Sequence, residues 1–176
     1  LRGGDAKAGR VLADTYRAAI VRFCRGYLGR IEDAEDAAQD IFCKVIAARD
    51  VPEHFRAWLY RIARNHCLNL IRNQHRRKDH AALPAGDDVD AELTGQLTRM
   101  LRVEMGDRVK EALALLPDST AEALRMRYVE GLSRQEIADV LDLRESVVKS
   151  RLFEGLKIVR TRLAELHASG ASTDGG

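Results

Sequence analysis

Three aspartates at helical spacing, Asp33, Asp36 and Asp40, could bring their carboxylates together on one face of a helix. Clustered carboxylates are the ligands that divalent cations prefer. No histidine or further acid completes a coordination shell around them, so the pattern predicts no metal site. Asp33 also stands where a helix N-cap belongs, and capping together with the helix dipole explains part of this acidity.

Catalytic chemistry has no support elsewhere in the sequence. No nucleophile stands beside a base, and there is no phosphate-binding glycine loop or metal-ligand motif. The three cysteines, Cys24, Cys43 and Cys67, fall in apolar-periodic segments and form no C-x-x-C pair, which predicts buried thiols in a reducing compartment. We therefore expect a cytoplasmic protein that is not an enzyme and needs no cofactor.

The acidic segment predicts an amphipathic helix. Between residues 31 and 43 there is no base, and there are five acids: Glu32, Asp33, Glu35, Asp36 and Asp40. Apolar residues recur through the same segment at the helical period: Ala34, Ala37, Ala38, Ile41 and Phe42. The apolar side would face a core, and the acidic side is favoured as a surface that binds another protein.

The next segment carries the opposite charge. From residue 55 to residue 78 there is no acid, although the net charge of the whole chain is only +2. On a helical projection, polar and basic residues gather on one face, called here the basic stripe: Arg61, Arg64, Asn65, Arg72, His75 and Arg76. Because uncompensated like charges repel and phosphates would relieve that repulsion, a nucleic-acid surface is favoured over a solvated face.

Aromatic residues flank the basic stripe. Trp58 could stack an unpaired base beside a cationic groove. Phe55, Trp58 and Leu59 also have the spacing of a packed helix face, so Trp58 could equally be an anchor for the acidic helix. His66 lies on the apolar side and is predicted to be a packed core histidine.

A helix-turn-helix is predicted near the C-terminus. A helix that follows Pro117 closes at Gly131, and Ser133 opens a capping box for a short helix over 134–141. Asp142 then begins a turn into a long helix from about residue 145 to residue 166, whose first turns would contact base edges in a duplex. The same motif occurs as a plain structural hairpin, so alone it only favours DNA binding.

These elements predict an all-α chain of two small helical domains joined by a flexible linker, the second containing the helix-turn-helix. The prolines lie between periodic segments, and no run alternates as a strand requires. We expect the first domain at residues 10–78, the linker at 79–103, the second domain at 104–167 and a disordered tail at 168–176. No apolar run reaches the length of a membrane span, so no membrane insertion is expected.

Five ordered motifs resemble those of the extracytoplasmic-function (ECF) group of bacterial sigma factors, in the sigma-70 family. They are residues 33–42, residues 55–65, Leu116 with Pro117, residues 136–138 and residues 148–152. The resemblance covers the chain from about residue 10 to residue 166. It implies a transcription initiation factor whose partners are core RNA polymerase, promoter DNA and an anti-sigma factor.

The resemblance also implies roles for individual residues. The acidic helix would dock on the clamp of the polymerase's largest subunit through Asp36, Gln39, Asp40 and Phe42. The first domain would open the minus-ten element and hold its non-template strand with Arg49, His54, Trp58, Arg61, Arg64, Asn65, Arg72, His75 and Arg76. The long helix would read the minus-thirty-five duplex with Arg144, Ser146, Lys149, Ser150, Arg151, Phe153 and Lys157.

Some positions depart from the family pattern. Asn69 replaces a usual Asp, residues 142–144 replace a Gly-Ile-Ser turn, and residues 154–156 replace an Arg-Ala-Arg run that could contact phosphates. Asp142 tolerates the left-handed conformation of the turn, whereas Arg144 is a poor N-cap.

Two other functions stay open at this point. A sigma-like mimic that only sequesters an anti-sigma factor would be expected to lose the basic stripe, which is intact here. A conventional helix-turn-helix repressor would leave the N-terminal half unexplained.

Overall fold

The computed structural model describes residues 6–48, 50–79 and 115–171, and over these ranges it contains six α-helices and no strand. The helices are α1 (Ala6–Leu28), α2 (Ile31–Ala47), α3 (Phe55–Asp79), α4 (Asp118–Tyr128), α5 (Arg134–Leu141) and α6 (Glu145–Ala171). The expected all-helical fold is confirmed. Arg49, the predicted linker beyond Asp79 and residues 104–114 lie outside the described residues.

The first unit consists of α1, α2 and α3, each of which packs on the other two. Gly29 follows α1 with a φ of 90°, a left-handed conformation that glycine adopts without strain, and it turns the chain into α2. The core between the three helices is formed by fully buried side chains: Ile20, Phe23, Ile41, Leu59 and Tyr60. The buried small residues of α2 at positions 34, 37 and 38 let this helix pack closely on its neighbours.

The predicted N-cap of the acidic helix is wrong. α2 begins at Ile31 and its N-cap is Arg30, which makes no side-chain capping bond, so Asp33 lies inside the first turn. The chain enters α2 early because Gly29 reverses it directly after α1. Glu32 and Asp33 still lie where the helix dipole favours negative charge.

The prediction of three buried thiols is wrong for one of them. Cys24 and Cys67 are buried, whereas Cys43 is exposed. Ile41, Phe42 and Val45 occupy the inner face of α2, and position 43 falls on the outer face between them. Contact with the Cys67 thiol, together with burial, raises the pKa of the Cys24 thiol and keeps it protonated.

The second unit consists of α4, α5 and α6. Gly131 (φ 66°) reverses the chain after α4, and Ser133 and Glu136 form the predicted capping box at the start of α5. Asp142 adopts the left-handed conformation expected of the turn, with a φ of 55°. α6 continues to Ala171, so residues 168–171 are helical rather than disordered, because each further residue of an existing helix adds one backbone hydrogen bond.

The crossing of α4 and α6 depends on Gly155. A Cβ atom at this position would lie 2.7 Å from Thr120 Cγ2 and 2.8 Å from Leu124 Cδ1, closer than any real side chain tolerates. Glycine therefore sets the distance between these two helices.

The two units pack directly on each other, with α3 against α5. Charged side chains from both units meet at this boundary, as Arg64 of α3 and Glu122 of α4 do.

Candidate polymerase and DNA interfaces

The acidic face of α2 is accessible. Asp36, Gln39 and Asp40 are exposed, and they share the outer side of a helix whose inner side is buried in the first unit. Phe42 differs from them, because it is only 8% exposed and belongs to the core. The predicted contact through Phe42 is therefore corrected: its ring holds α2 in place and offers no docking surface.

His66 is the packed histidine that the sequence predicts. It is 9% exposed, and its Nδ1 lies 2.6 Å from Lys44 Nζ while its Nε2 lies 3.5 Å from Asp40 Oδ2. Burial and the Lys44 charge lower the pKa of this imidazole, and Asp40 offsets that only in part. The ring is therefore neutral near pH 7, accepts from Lys44 at Nδ1 and points Nε2 toward Asp40.

The basic stripe of α3 is only partly free to meet DNA. Arg61, Asn65 and Arg76 are exposed, and Arg72 and His75 are half-buried. Arg72 Nη1 donates to Asn69 Oδ1 at 3.4 Å, which is the position where the family pattern has an Asp.

The aromatic and loop residues next to the stripe have mixed exposure. His54 is exposed in the segment that leads into α3. Trp58 is half-buried, and its ring centroid lies 5.8 Å from that of Phe55 in a tilted contact. One side of Trp58 thus packs on the first unit, and the other remains accessible.

Arg64 does not face solvent as the stripe predicts. Its Nε donates to Glu122 Oε1 at 2.7 Å and its Nη2 to Glu122 Oε2 at 3.3 Å, a bidentate pair across the two units. Burial lowers the pKa of the Arg64 guanidinium, but the hydrogen bond and charge of Glu122 outweigh burial and raise it. The expectation of a stripe without any compensating acid is therefore wrong at this residue, since the acid comes from a distant part of the chain.

The start of α6 presents the predicted duplex-binding residues. Most are exposed: Arg144, Ser146, Lys149, Ser150, Phe153 and Lys157. Arg151 is half-buried, whereas Val148 and Leu152 on the opposite side are buried against the second unit. Phe153 is 71% exposed.

A groove of about 590 Å³ beside the start of α6 adds bases that the sequence analysis missed. Arg127 and Arg134 line it together with Lys149. Arg134 Nε lies 3.3 Å from Glu145 Oε1, which ties α5 to the first turn of α6. Arg127 Nη1 donates to the Leu132 carbonyl at 2.9 Å. Their position in the two helices that precede α6 is the signal that could have found them.

Within the described parts of the chain, no group of three or more His, Cys, Asp or Glu side chains could hold a metal ion. None of the helices there combines the length and apolar character needed to cross a membrane.

Comparison with known proteins identifies both units. Residues 12–77 match sigma-70 region 2, and residues 106–159 match sigma-70 region 4. The ECF RNA polymerase sigma-E factor of Haemophilus influenzae is 31% identical over 93% of this chain and 91% of its own length. The ECF RNA polymerase sigma factor SigW of Bacillus subtilis is 28% identical over 94% of each chain.

A solved structure has the same fold. It is the sigma factor RpoE from Bartonella quintana, in complex with the anti-sigma factor NepR. The TM-score is 0.63 at 19% identity, over 90% of this chain and 98% of that one. Its fold, the two sigma-70 regions and the relative from Haemophilus influenzae agree with one another, and this chain belongs to the ECF group of the sigma-70 family of transcription initiation factors.

Proposed function

We propose that this chain directs core RNA polymerase to promoters through three separate surfaces. The acidic face of α2 binds the polymerase, the basic stripe of α3 holds the melted minus-ten strand, and the start of α6 reads the minus-thirty-five duplex. One observation carries the proposal: exposed charge changes sign from α2 to α3 and is basic again at the start of α6, while the apolar faces of these helices are buried.

The polymerase surface consists of Asp36, Gln39 and Asp40. Two carboxylates and an amide on one exposed face favour a basic partner surface, and such charge complementarity sets orientation and association rate more than affinity. Phe42 supports this surface from below, since it is buried between α2 and the rest of the first unit.

The strand-holding surface consists of the accessible members of the stripe with two neighbours. Arg61, Arg72 and Arg76 supply phosphate contacts, which strengthen binding without regard to sequence. Trp58 offers one accessible side for stacking an unpaired base, and His54 lies close to it along the chain. Arg64 joins this surface only when it is released from Glu122.

The duplex-reading surface consists of the exposed residues that begin α6. Lys149 and Ser150 lie in the second turn, where a recognition helix meets base edges in the major groove. Arg144, Arg127 and Arg134 surround this point and suit phosphate contacts on either side of the groove.

The partners are core RNA polymerase, promoter DNA and an anti-sigma factor. The relative from Bartonella quintana is bound by the anti-sigma factor NepR, which supports a partner of the same kind here. Promoter binding places the chain with the chromosome in the cytoplasm. The chain itself is not an enzyme, because the polymerase carries out the chemistry of RNA synthesis.

Run-off transcription with purified core polymerase tests the function. The chain should produce transcripts that start at specific sites on a genomic promoter library, and core polymerase alone should not. A chain that bound an anti-sigma factor but gave no specific transcript would be a mimic, and this result would overturn the proposal.

A matched pair of variants tests the polymerase surface. Asp36→Lys with Asp40→Lys should weaken core binding in a pull-down at unchanged helical content, because it reverses the exposed charge of α2. Asp14→Lys with Glu154→Lys makes the same change of net charge at exposed positions of α1 and α6 and should bind normally. Equal binding by both double variants would contradict docking through α2.

A further inference from the structure

The boundary between the two units contains charged side chains, and those of the second unit are buried. We call it the interdomain latch and define it by its charged residues: Arg22, Arg56 and Arg64 from the first unit, and Glu122, Arg125 and Glu130 from the second. Glu130 and Arg125 have side-chain exposures of 0% and 4%, and Glu122 has 10%. Charged side chains are rarely buried to this degree unless they are paired, so the contact is specific in geometry.

Glu122 is held by two groups of the first unit. Arg64 binds both of its carboxylate oxygens, and the Tyr27 hydroxyl donates to Oε1. Burial and the charge of Glu122 raise the pKa of Tyr27, which keeps this hydroxyl protonated as a donor. The Glu122 carboxylate thus occupies the guanidinium N–H groups of Arg64 that could otherwise bind a phosphate.

Glu130 closes the other end of the latch. Its Oε2 accepts from Arg22 Nη2 at 2.8 Å and from the Tyr60 hydroxyl at 3.1 Å. Arg56 donates to the backbone carbonyls of Glu130 and Gly131 at 2.5 Å and 3.1 Å. Two arginines of the first unit are therefore bound at the corner where α4 ends.

Arg125 enters a slot that Gly26 leaves open in α1. Its Nη2 donates to the carbonyls of Arg22 and Phe23 at 2.9 Å and 3.1 Å, and its guanidinium lies over the Phe23 and Tyr27 rings at 5.6 Å and 5.9 Å. A Cβ atom on Gly26 would lie 1.3 Å from Arg125 Nη1. Glycine inside a helix destabilises the helix by about 1 kcal/mol relative to alanine. A side chain at position 26 would displace the Arg125 guanidinium, which explains why this position is glycine.

Buried ion pairs of this kind fix the relative orientation of two surfaces but add little to the free energy of their association. Removing charges from water offsets most of their mutual attraction, so the pairs fix orientation at little net gain. Opening the boundary would return Arg64 and Glu122 to water or to another ion. The latch is therefore suited to a contact that forms in one geometry and can be released.

The closed arrangement is incompatible with binding both promoter elements together. The minus-ten and minus-thirty-five elements are about 25 base pairs apart, which is about 85 Å of duplex at 3.4 Å per base pair. Each unit of roughly 60 residues has a radius of gyration of about 10 Å, so two units in direct contact have centres far closer than that. The units must separate before α3 and α6 can reach their elements.

We propose that the interdomain latch is an autoinhibitory contact, in which Glu122 occupies Arg64, an arginine of the basic stripe that promoter phosphates would otherwise bind, while the contacts of Glu130 and Arg125 hold the two units together. This proposal rests on the proposed function, which identifies the competing nucleic acid as promoter DNA. In the free chain the latch is closed, and single-stranded DNA competes with Glu122 for Arg64. Release of the latch exposes Arg64 and lets the two units separate.

Two variants open the latch by different means. Gly26→Ala adds a methyl group where the Arg125 guanidinium lies, changes no charge and favours the helix. Glu122→Gln keeps the shape of the side chain but removes the charge that binds Arg64. Thr15→Ala, a helix-favouring change at an exposed site of α1, and Glu154→Gln, a lost charge at an exposed site of α6, are the matched controls.

Opening is measured on the full chain by energy transfer between dyes on Cys43, the exposed native thiol, and on an Ala164→Cys position in α6. Binding to a fluorescent oligothymidylate is measured on the same variants without polymerase. Because the open form is a minor species in the wild-type chain, we expect both opening variants to lose energy transfer and to bind about tenfold more tightly. The two controls should match the wild type.

Several outcomes overturn the proposal. Loss of energy transfer without tighter DNA binding would show that the latch is not inhibitory. Unchanged energy transfer in both opening variants would show that these contacts do not hold the units together. If the wild-type chain gave no transcript with core polymerase, the proposed function would fail, and this is separate from the energy-transfer result.

Discussion

The two basic helices, α3 and α6, differ in how much of their charge is available to DNA. On α3, Arg61 faces solvent, whereas Arg64 is bound by a glutamate of the second unit. At the start of α6, Arg144 and Lys149 face solvent in the same closed arrangement. Basic residues in similar helical patterns thus differ in whether they can contact DNA, because partners from distant parts of the chain bind some of them and not others. In the closed chain the proposed duplex-reading residues of α6 are accessible, whereas Arg64 of the strand-holding surface is not.

The largest effect should come from the accessible helix. Lys149→Ala should reduce binding of the free chain to a cognate minus-thirty-five duplex by about 5-fold to 150-fold, since one good base contact discriminates by about 1 to 3 kcal/mol. Oligothymidylate binding should not change. Titration by fluorescence anisotropy with duplexes of varied sequence measures both.

Arg160→Ala is the control for Lys149→Ala, because Arg160 is an exposed base three turns further along α6. It should leave the sequence preference intact. A uniform loss over all duplex sequences in Lys149→Ala would mean that Lys149 contacts only phosphate.

The position of α6 should depend on its packing against α4. Gly155→Ala forces a methyl group against Thr120 and Leu124, and overpacking of this kind costs about 1 to 3 kcal/mol. We expect the second unit to unfold at lower urea concentration, with weaker duplex binding at unchanged oligothymidylate binding. Thr161→Ala, at an exposed position of α6, should unfold like the wild type. Unchanged stability in Gly155→Ala would mean that the two helices are not this close.

The local features of both units could be predicted from the sequence. Apolar periodicity indicated α2 and the helix-turn-helix, Ser133 with Glu136 indicated the capping box, and Asp142 indicated the turn. Each of these features depends on residues within a few positions of one another, so a single sequence contains the pattern. The N-cap failed because the preceding glycine, rather than Asp33, decides where α2 begins.

The latch could not be predicted in this way. Arg64 and Glu122 are 58 positions apart, and no periodicity relates two residues at that separation. Only the structure shows why the partners are needed. α4 is buried from Thr120 to Met126 without a break, and a helix that is buried all round while carrying Glu122 and Arg125 requires charged partners from elsewhere.

A smaller effect should separate the two kinds of arginine on α3. Arg61→Ala should lower the slope of oligothymidylate affinity against salt by about 0.7, the value for one phosphate contact on a single strand. It should do so in the wild type and in the open Gly26→Ala chain. Arg64→Ala should lower the slope only in the Gly26→Ala background, because in the wild type Arg64 is bound to Glu122 and has no phosphate contact to lose.

Arg64→Ala also removes a latch contact, so in the wild-type background it opens the chain while it deletes one phosphate partner. These effects oppose each other, and the net change in affinity should be small. If Arg61→Ala and Arg64→Ala gave the same change of slope in both backgrounds, the difference in availability between the two residues would be refuted.

The smallest effect concerns the inner face of α3, where His66 lies between Lys44 and Asp40. Burial and Lys44 lower the pKa of His66 in the folded chain below its ordinary value of 6.5. As the pH falls through 6.5, the unfolded chain therefore binds a proton that the folded chain does not, and the free energy of unfolding decreases. Above that range the imidazole is neutral in both states and contributes no pH dependence.

Urea unfolding at a series of pH values between about 7.5 and 5.5 should show this decrease in the free energy of unfolding, and His66→Gln should make the profile flatter. His54→Gln, at an exposed histidine, should keep the wild-type slope. A profile in His66→Gln as steep as that of the wild type would show that another group on the first unit is responsible.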